Sequence, residues 1–267
     1  MHLINMKRLI VLCLIFTFSG CSSMRKNVVK NNKKVKIAII DSGINPLSSL
    51  TPFLGKGYSY IKNESAFKDY INHGTPVSSF LILNLEKGIP IQIDSYKVFD
   101  SNFKTSDKIL SGAINRAIKN KSDIINISSS GIYFYPLEFE ALKKARDKGI
   151  IIVVSSGNMG KDNDQLSSYP CNYELENIVC VGSTNNRSEI SKYSNIGKNV
   201  DIYTLGEQII ALNNMNQYEY LDGTSYSTAK ITAILSSLIN IFPDKDYQFI
   251  INKMKKQAKK VDNYLVY

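Results

Sequence analysis

Tryptophan is absent from this chain of 267 residues, histidine occurs only twice, and cysteine only four times. Each scarcity excludes something. His2 stands at the extreme N-terminus, so any imidazole chemistry in the folded part falls to His73. Four cysteines are too few for a disulfide-built scaffold, and the two that fall in the folded part, Cys171 and Cys180, lack the spacing and nearby histidines of a metal site. A long hydrophobic run is also missing. The apolar stretch from Leu9 to Phe18 is too short for a comfortable membrane span and has the length of a signal-peptide core.

Positive charge is present in excess, with a formal net charge of +10. Its lysines are scattered, with concentrations at Arg25 to Lys36 and Lys253 to Lys260, and no recognisable nucleic-acid module accompanies them. Nucleic acid is therefore not an expected partner. At the N-terminus, Lys7 and Arg8 precede the apolar run, and Ser19-Gly20-Cys21 follows it. This arrangement resembles a bacterial lipobox, which implies a signal peptide over 1–20 and lipidation of Cys21. Residues 21–34, rich in Ser, Asn and Lys, read as a flexible tether to a membrane. The expected location is the cell envelope, as an exported and membrane-anchored lipoprotein.

Residues 35–267 suit one large α/β domain with a substantial core, expected to act as a monomer. Val35 to Asp41 is a continuous apolar run interrupted only by Lys36, the pattern of a strand buried on both faces. Asp123 to Ser128 and Gly149 to Ser155 read as further inner strands. Helical spacing predicts helices over Ser106 to Lys121, Pro136 to Lys148, Ser225 to Ile241 and Asp244 to Lys260. Alternation of strands and helices predicts a mostly parallel sheet covered on both faces. The apolar stripes are accounted for by core packing, and no cofactor is expected.

Chemistry is concentrated at three short runs: Ile40-Asp41-Ser42-Gly43, His73-Gly74-Thr75 and Gly223-Thr224-Ser225. A serine hydroxyl is a weak nucleophile at neutral pH unless an imidazole takes its proton. That imidazole must in turn be oriented by a carboxylate that stabilises its charged form. Asp41, His73 and Ser225 supply these three groups.

In that order, and with the blocks between them, the chain resembles the subtilisin-like serine proteases from about Val35 to about Phe242. Asp123-Ile-Ile-Asn126-Ile-Ser128 resembles the strand beside the substrate cleft, and Ser156-Gly157-Asn158 resembles the loop whose asparagine donates to the oxyanion. Tyr193-Ser194-Asn195-Ile196-Gly197 fits the segment between that loop and the nucleophile. The resemblance implies a three-layer subtilisin-like α/β fold. It also implies Asp41, His73 and Ser225 as catalytic residues, Asn158 in the oxyanion hole, and Ser128, Ser129 and Ser130 as the substrate-binding segment. The usual wording is altered at Pro76, Phe103, Thr105, Ser130, Tyr226, Ser227 and Ala229, none of which removes a catalytic group. The stretch from Leu83 to Pro90 offers only Asn84 and Glu86 as likely side-chain oxygen ligands, so no calcium loop and no metal site is expected.

The function expected from these residues is hydrolysis of peptide or protein substrates by a serine endopeptidase. A non-proteolytic binding scaffold would be marked by loss of a triad or oxyanion residue, and none is lost. An acyl transferase or peptide cyclase would keep the same triad. For Cys171 and Cys180, an exported setting favours a disulfide, while the spacing leaves two buried thiols open as well.

Overall fold

The computed structural model describes residues 32–267. The signal segment, Cys21 and most of the tether lie outside the described residues. In chain order the elements are β1 (Val35–Asp41), β2 (Leu54–Ser59), α1 (Gly74–Leu83), β3 (Ile91–Lys97), α2 (Asp107–Lys119), β4 (Ile124–Ile127), α3 (Pro136–Asp147) and β5 (Ile151–Ser155). There follow β6 (Ile178–Thr184), β7 (Ile202–Leu205), β8 (Ile209–Leu212), β9 (Tyr218–Leu221), α4 (Thr224–Ile241), α5 (Tyr247–Gln257), β10 (Lys259–Val261) and β11 (Tyr264–Val266).

Among the described residues, nine strands form one sheet in the order β10-β11-β7-β6-β5-β4-β1-β3-β2, parallel throughout except that β10 runs against β11. Successive side chains on a strand point to opposite faces, and the continuous apolar runs are thereby divided between two cores. Ala38, Ile40, Ile125, Ile127, Ile152 and Val154 pack under α2 and α3. Ile37 and Ile39 pack under α1 and α4, and Ile124, Ile151 and Val153 under α4 and α5. The result is the three-layer arrangement with helices on both faces.

β1 lies inside the sheet, flanked by β3 on one side and β4 on the other. The chain builds one side of the sheet and then crosses to the other, and in such folds a crevice opens at the carboxyl ends of the strands where the order reverses. Asp41 ends β1, Ser128 follows β4 directly, and Asn158 lies three residues beyond β5. Cys171 and Cys180 are joined as a disulfide that ties a short helical turn to buried β6.

Most boundaries shift by one to three residues from those the pattern predicts, and two of the shifts have a clear cause. The strand after α3 starts at Ile151 because Gly149, at φ +72°, caps the helix in the left-handed region that glycine tolerates. The last helix ends at Gln257 instead of Lys260, since Ala258 is extended (φ −70°, ψ 150°) and Lys259–Val261 pairs with Tyr264–Val266. That hairpin completes the sheet beside β7. No helix among the described residues is long and apolar enough to cross a membrane.

Candidate active site

The crevice holds the three predicted side chains in contact. Asp41 is 1% exposed, and its Oδ1 lies 2.7 Å from His73 Nδ1 while accepting the Ser42 N–H at 2.6 Å. His73 Nε2 lies 3.1 Å from Ser225 Oγ. Ser225 is the second residue of α4, where the positive end of the helix faces the cleft. Its hydroxyl also donates to the Ser128 carbonyl at 2.7 Å. One proton thus has two acceptors, and the bond to His73 is the one that activates the oxygen.

Asn158 is held by its oxygen. Oδ1 accepts from the Thr224 N–H at 2.9 Å and from the Thr224 hydroxyl at 2.8 Å. Its Nδ2 has no hydrogen bond among the described residues, which leaves an amide donor beside the nucleophile. Ser128 is fixed by its own hydroxyl, which donates to Asn126 Oδ1 at 2.8 Å, while Asn126 Nδ2 donates to Thr232 of α4 at 2.9 Å. Beyond it, the backbones of Ser129 and Ser130 make no backbone hydrogen bonds among the described residues, and Gly131 pairs with Tyr169. An unpaired extended segment of this kind can receive a peptide as an added strand. His73, Phe103, Ser128, Ser130, Asn158 and Ser225 all line the same cavity of about 460 Å³.

Two contributors, Asp69 and Lys97, were not singled out in the sequence. Asp69 is 2% exposed, and its Oδ2 accepts the backbone N–H groups of His73 (3.1 Å) and Thr75 (2.8 Å). Its Oδ1 accepts the Ser42 hydroxyl at 2.8 Å, and Ser42 Oγ accepts the Gly74 N–H at 2.9 Å. These two residues satisfy the first N–H groups of α1, groups that no helix can satisfy internally. No local pattern marks Asp69, which lies four residues before the N-cap His73 and reaches the helix start only through the fold of the intervening loop. Gly74 has no side chain because a Cβ there would collide with the Gly43 carbonyl. Phe103 sits above the cleft, stacked on Phe99 (4.3 Å between centroids) and edge-on to His73 (5.6 Å).

Lys97, opposite Asp41 in the β1–β3 register, is 1% exposed. Its Nζ donates to the Ser42 carbonyl (2.7 Å) and the Lys68 carbonyl (2.8 Å), and pairs with Glu64 at 3.0 Å. It clamps the loop after β1 to the loop that carries Asp69. Among the described residues, no group of three or more histidine, cysteine, aspartate or glutamate side chains is placed to hold a metal ion.

Residues 32–263 match the sequence profile of the subtilase family, peptidase S8. The chain belongs to the subtilases, and is by family a subtilisin-like serine protease. It is 30% identical over 231 residues to the minor extracellular protease Epr of Bacillus subtilis, covering 84% of this chain and 35% of that protein. The chain thus spans about a third of the length of Epr. Subtilisin DY of Bacillus licheniformis is 25% identical over 244 residues, covering 87% of this chain and 86% of that one. Among solved structures, the nisin leader peptidase NisP of Lactococcus lactis superposes with a TM-score of 0.78 at 21% identity, covering 90% of this chain and 86% of that one.

Burial is the largest influence on His73 and opposes its charge, yet the charge and hydrogen bond of Asp41 and the charge of Asp69 outweigh it. The ring is held above its ordinary pKa. A raised histidine pKa means that the protonated form adds stability to the fold at low pH, and this contribution is lost as pH rises through the folded value. Catalysis needs the neutral ring, so activity gains over the window in which that contribution fades. The acidic limb of kcat/KM should therefore lie above about 6.5, the ordinary histidine value, and Asp69→Asn should move it down. A limb at or below that value, unmoved by Asp69→Asn, contradicts this electrostatic picture. Lys97→Met should cost about 1–3 kcal/mol in denaturant unfolding, because it leaves the buried Ser42 carbonyl without its donor. A cost under about 1 kcal/mol, as for exposed ion pairs, would show that Lys97 is no clamp.

Proposed function

We propose that this subtilase hydrolyses peptide bonds outside the cytoplasm through Asp41, His73 and Ser225. The observation that carries this reading is the continuous contact Asp41 Oδ1 to His73 Nδ1 to His73 Nε2 to Ser225 Oγ, at 2.7 and 3.1 Å. Ser225 Oγ attacks the substrate carbonyl carbon as His73 Nε2 takes the hydroxyl proton. Asp41 keeps the Nδ1 proton in place and stabilises the imidazolium. The carbonyl oxygen, now negative, receives hydrogen bonds from Asn158 Nδ2 and the Ser225 N–H. His73 returns its proton to the leaving amine, an acyl-enzyme remains, and a water activated by His73 releases the acid.

The segment Ser128 to Ser130 receives the peptide backbone, which gives affinity tolerant of sequence. Peptides or proteins are the substrates. Kinship with the extracellular protease Epr supports export, and lipidation of Cys21 would hold the domain at a membrane surface with 21–34 as tether. No triad or oxyanion residue is missing, which favours an enzyme over a binding scaffold.

A fluorophosphonate should label the protein and label Ser225→Ala not at all, and that variant should cleave no peptide. Cleavage retained by Ser225→Ala would overturn the assignment, and mass spectrometry of the products separates hydrolysis from acyl transfer to an amine. Asn158→Ala should lower kcat by about 10²–10³, a loss measured for the corresponding donor of subtilisin and carried over from that relative. Cys21→Ser should move the protein from the membrane to the soluble fraction, and an unchanged distribution would remove the lipid anchor from this reading.

A further inference from the structure

Next to the catalytic cavity lies a second one of about 360 Å³, and the two share Phe103, Ser129, Ser130 and Gly131. The segment Ser129 to Gly131 thus borders both cavities. Aromatic rings dominate the walls of the second cavity, with Phe99, Tyr133, Tyr135 and Tyr169 prominent. Glu138 is the one carboxyl among the residues that line it. It lies in the first turn of α3 and is 3% exposed. Its Oε2 accepts the Tyr173 hydroxyl at 2.7 Å, and its Oε1 has no hydrogen bond among the described residues. Nor is it ion-paired with a lysine or arginine there. A carboxyl buried without a cationic partner is costly, and core packing of α3 does not call for one.

We propose that this cavity selects a lysine or arginine side chain of the substrate, with Glu138 as its counter-charge, an inference that rests on the serine-peptidase reading of the neighbouring cleft. A basic side chain fits both parts of the cavity. Its apolar stem and its charge lie well against aromatic faces, and its head reaches the carboxyl. An apolar side chain would leave the carboxyl buried and unpaired. An acidic one would meet Glu138, and Asp107, which lies outside the lining and accepts the N–H groups of Leu137 and Glu138 at 3.1 and 2.7 Å, adds its negative charge from behind. Lys104 at the rim opposes an incoming cation, but it is exposed and screened by solvent.

Burial pushes the Glu138 pKa up to about 7, with Asp107 adding to the rise and the Tyr173 hydrogen bond opposing it. The carboxyl is charged above that value, so selection for a basic side chain strengthens as pH rises through neutrality. Facing groups are Tyr173 from the turn before β6, Asp107 from α2 and Lys104 from the rim.

The test uses paired peptides that differ only in lysine against norleucine, which keeps the stem and lacks the ammonium group, at each of five positions on either side of the scissile bond. At one position the lysine peptide should have a kcat/KM about ten-fold higher at pH 8.5, as expected for a hydrogen bond to a charged group. The ratio should shrink at pH 6. Titration of His73 cancels in a ratio. Glu138→Gln, which retains an acceptor for Tyr173, should bring the ratio to about one, and Lys104→Glu should raise it. Ratios of one at every position of the unaltered protein overturn the proposal, as does a preference that survives Glu138→Gln or fails to rise in Lys104→Glu. Failure of the protease reading looks different: no peptide is cut and Ser225 takes no fluorophosphonate.

Discussion

The hydrogen bond between Asp41 and His73 is the constraint on which the rest depends. Asp41 sits at the carboxyl end of an interior strand with almost no access to water. A carboxylate in that position has to be stabilised by protein groups, and the Ser42 N–H and the His73 imidazole do so. Placing the imidazole there fixes where α1 must begin. Asp69 and Ser42 hold that beginning, and Lys97 ties their two loops together. The turn before the helix adds to this, with Asn72 at φ +57°, a conformation asparagine tolerates better than most residues. Its side chain bridges to Asn214 and to Glu219 on β9.

The nucleophile is positioned by a separate set of bonds from the other side of the sheet. Asn126 and Ser128, at the end of β4, reach α4 through Thr232 and the Ser225 carbonyl. Asn158 fixes the start of the same helix through Thr224. Base and nucleophile are therefore held by separate sets of hydrogen bonds, while α1 and α4 pack directly on each other, with Phe80 edge-on to Tyr226. Such preorganisation costs buried polar groups their water, and most of those at the site are hydrogen-bonded in return, Asp41 Oδ2 being an exception among the described residues.

Sequence patterns that depend on local periodicity were legible. The runs of β1, β4 and β5 and the cores of α2, α3 and α4 follow from apolar spacing, and the order of Asp41, His73 and Ser225 points to the proposed chemistry from the sequence alone. What was not legible depends on distant partners. Lys259–Val261 has a helix-compatible composition and becomes a strand only because Tyr264–Val266 returns beside β7. Lys97 resembles any charge at a strand end until the Ser42 and Lys68 carbonyls surround it. Glu138 falls in a helical stripe, and only the aromatic cavity distinguishes it from a surface carboxylate.

Because His73 is the only histidine of the described domain, its imidazole nitrogens can be observed without overlap by ¹⁵N NMR in a His2→Gln chain. If Asp41 orients the base, the neutral ring at high pH carries its proton on Nδ1 and leaves Nε2 free for Ser225, and Asp41→Asn abolishes that preference. A neutral ring protonated on Nε2, or one indifferent to Asp41→Asn, would contradict the assignment of Asp41 as the group that makes His73 a base.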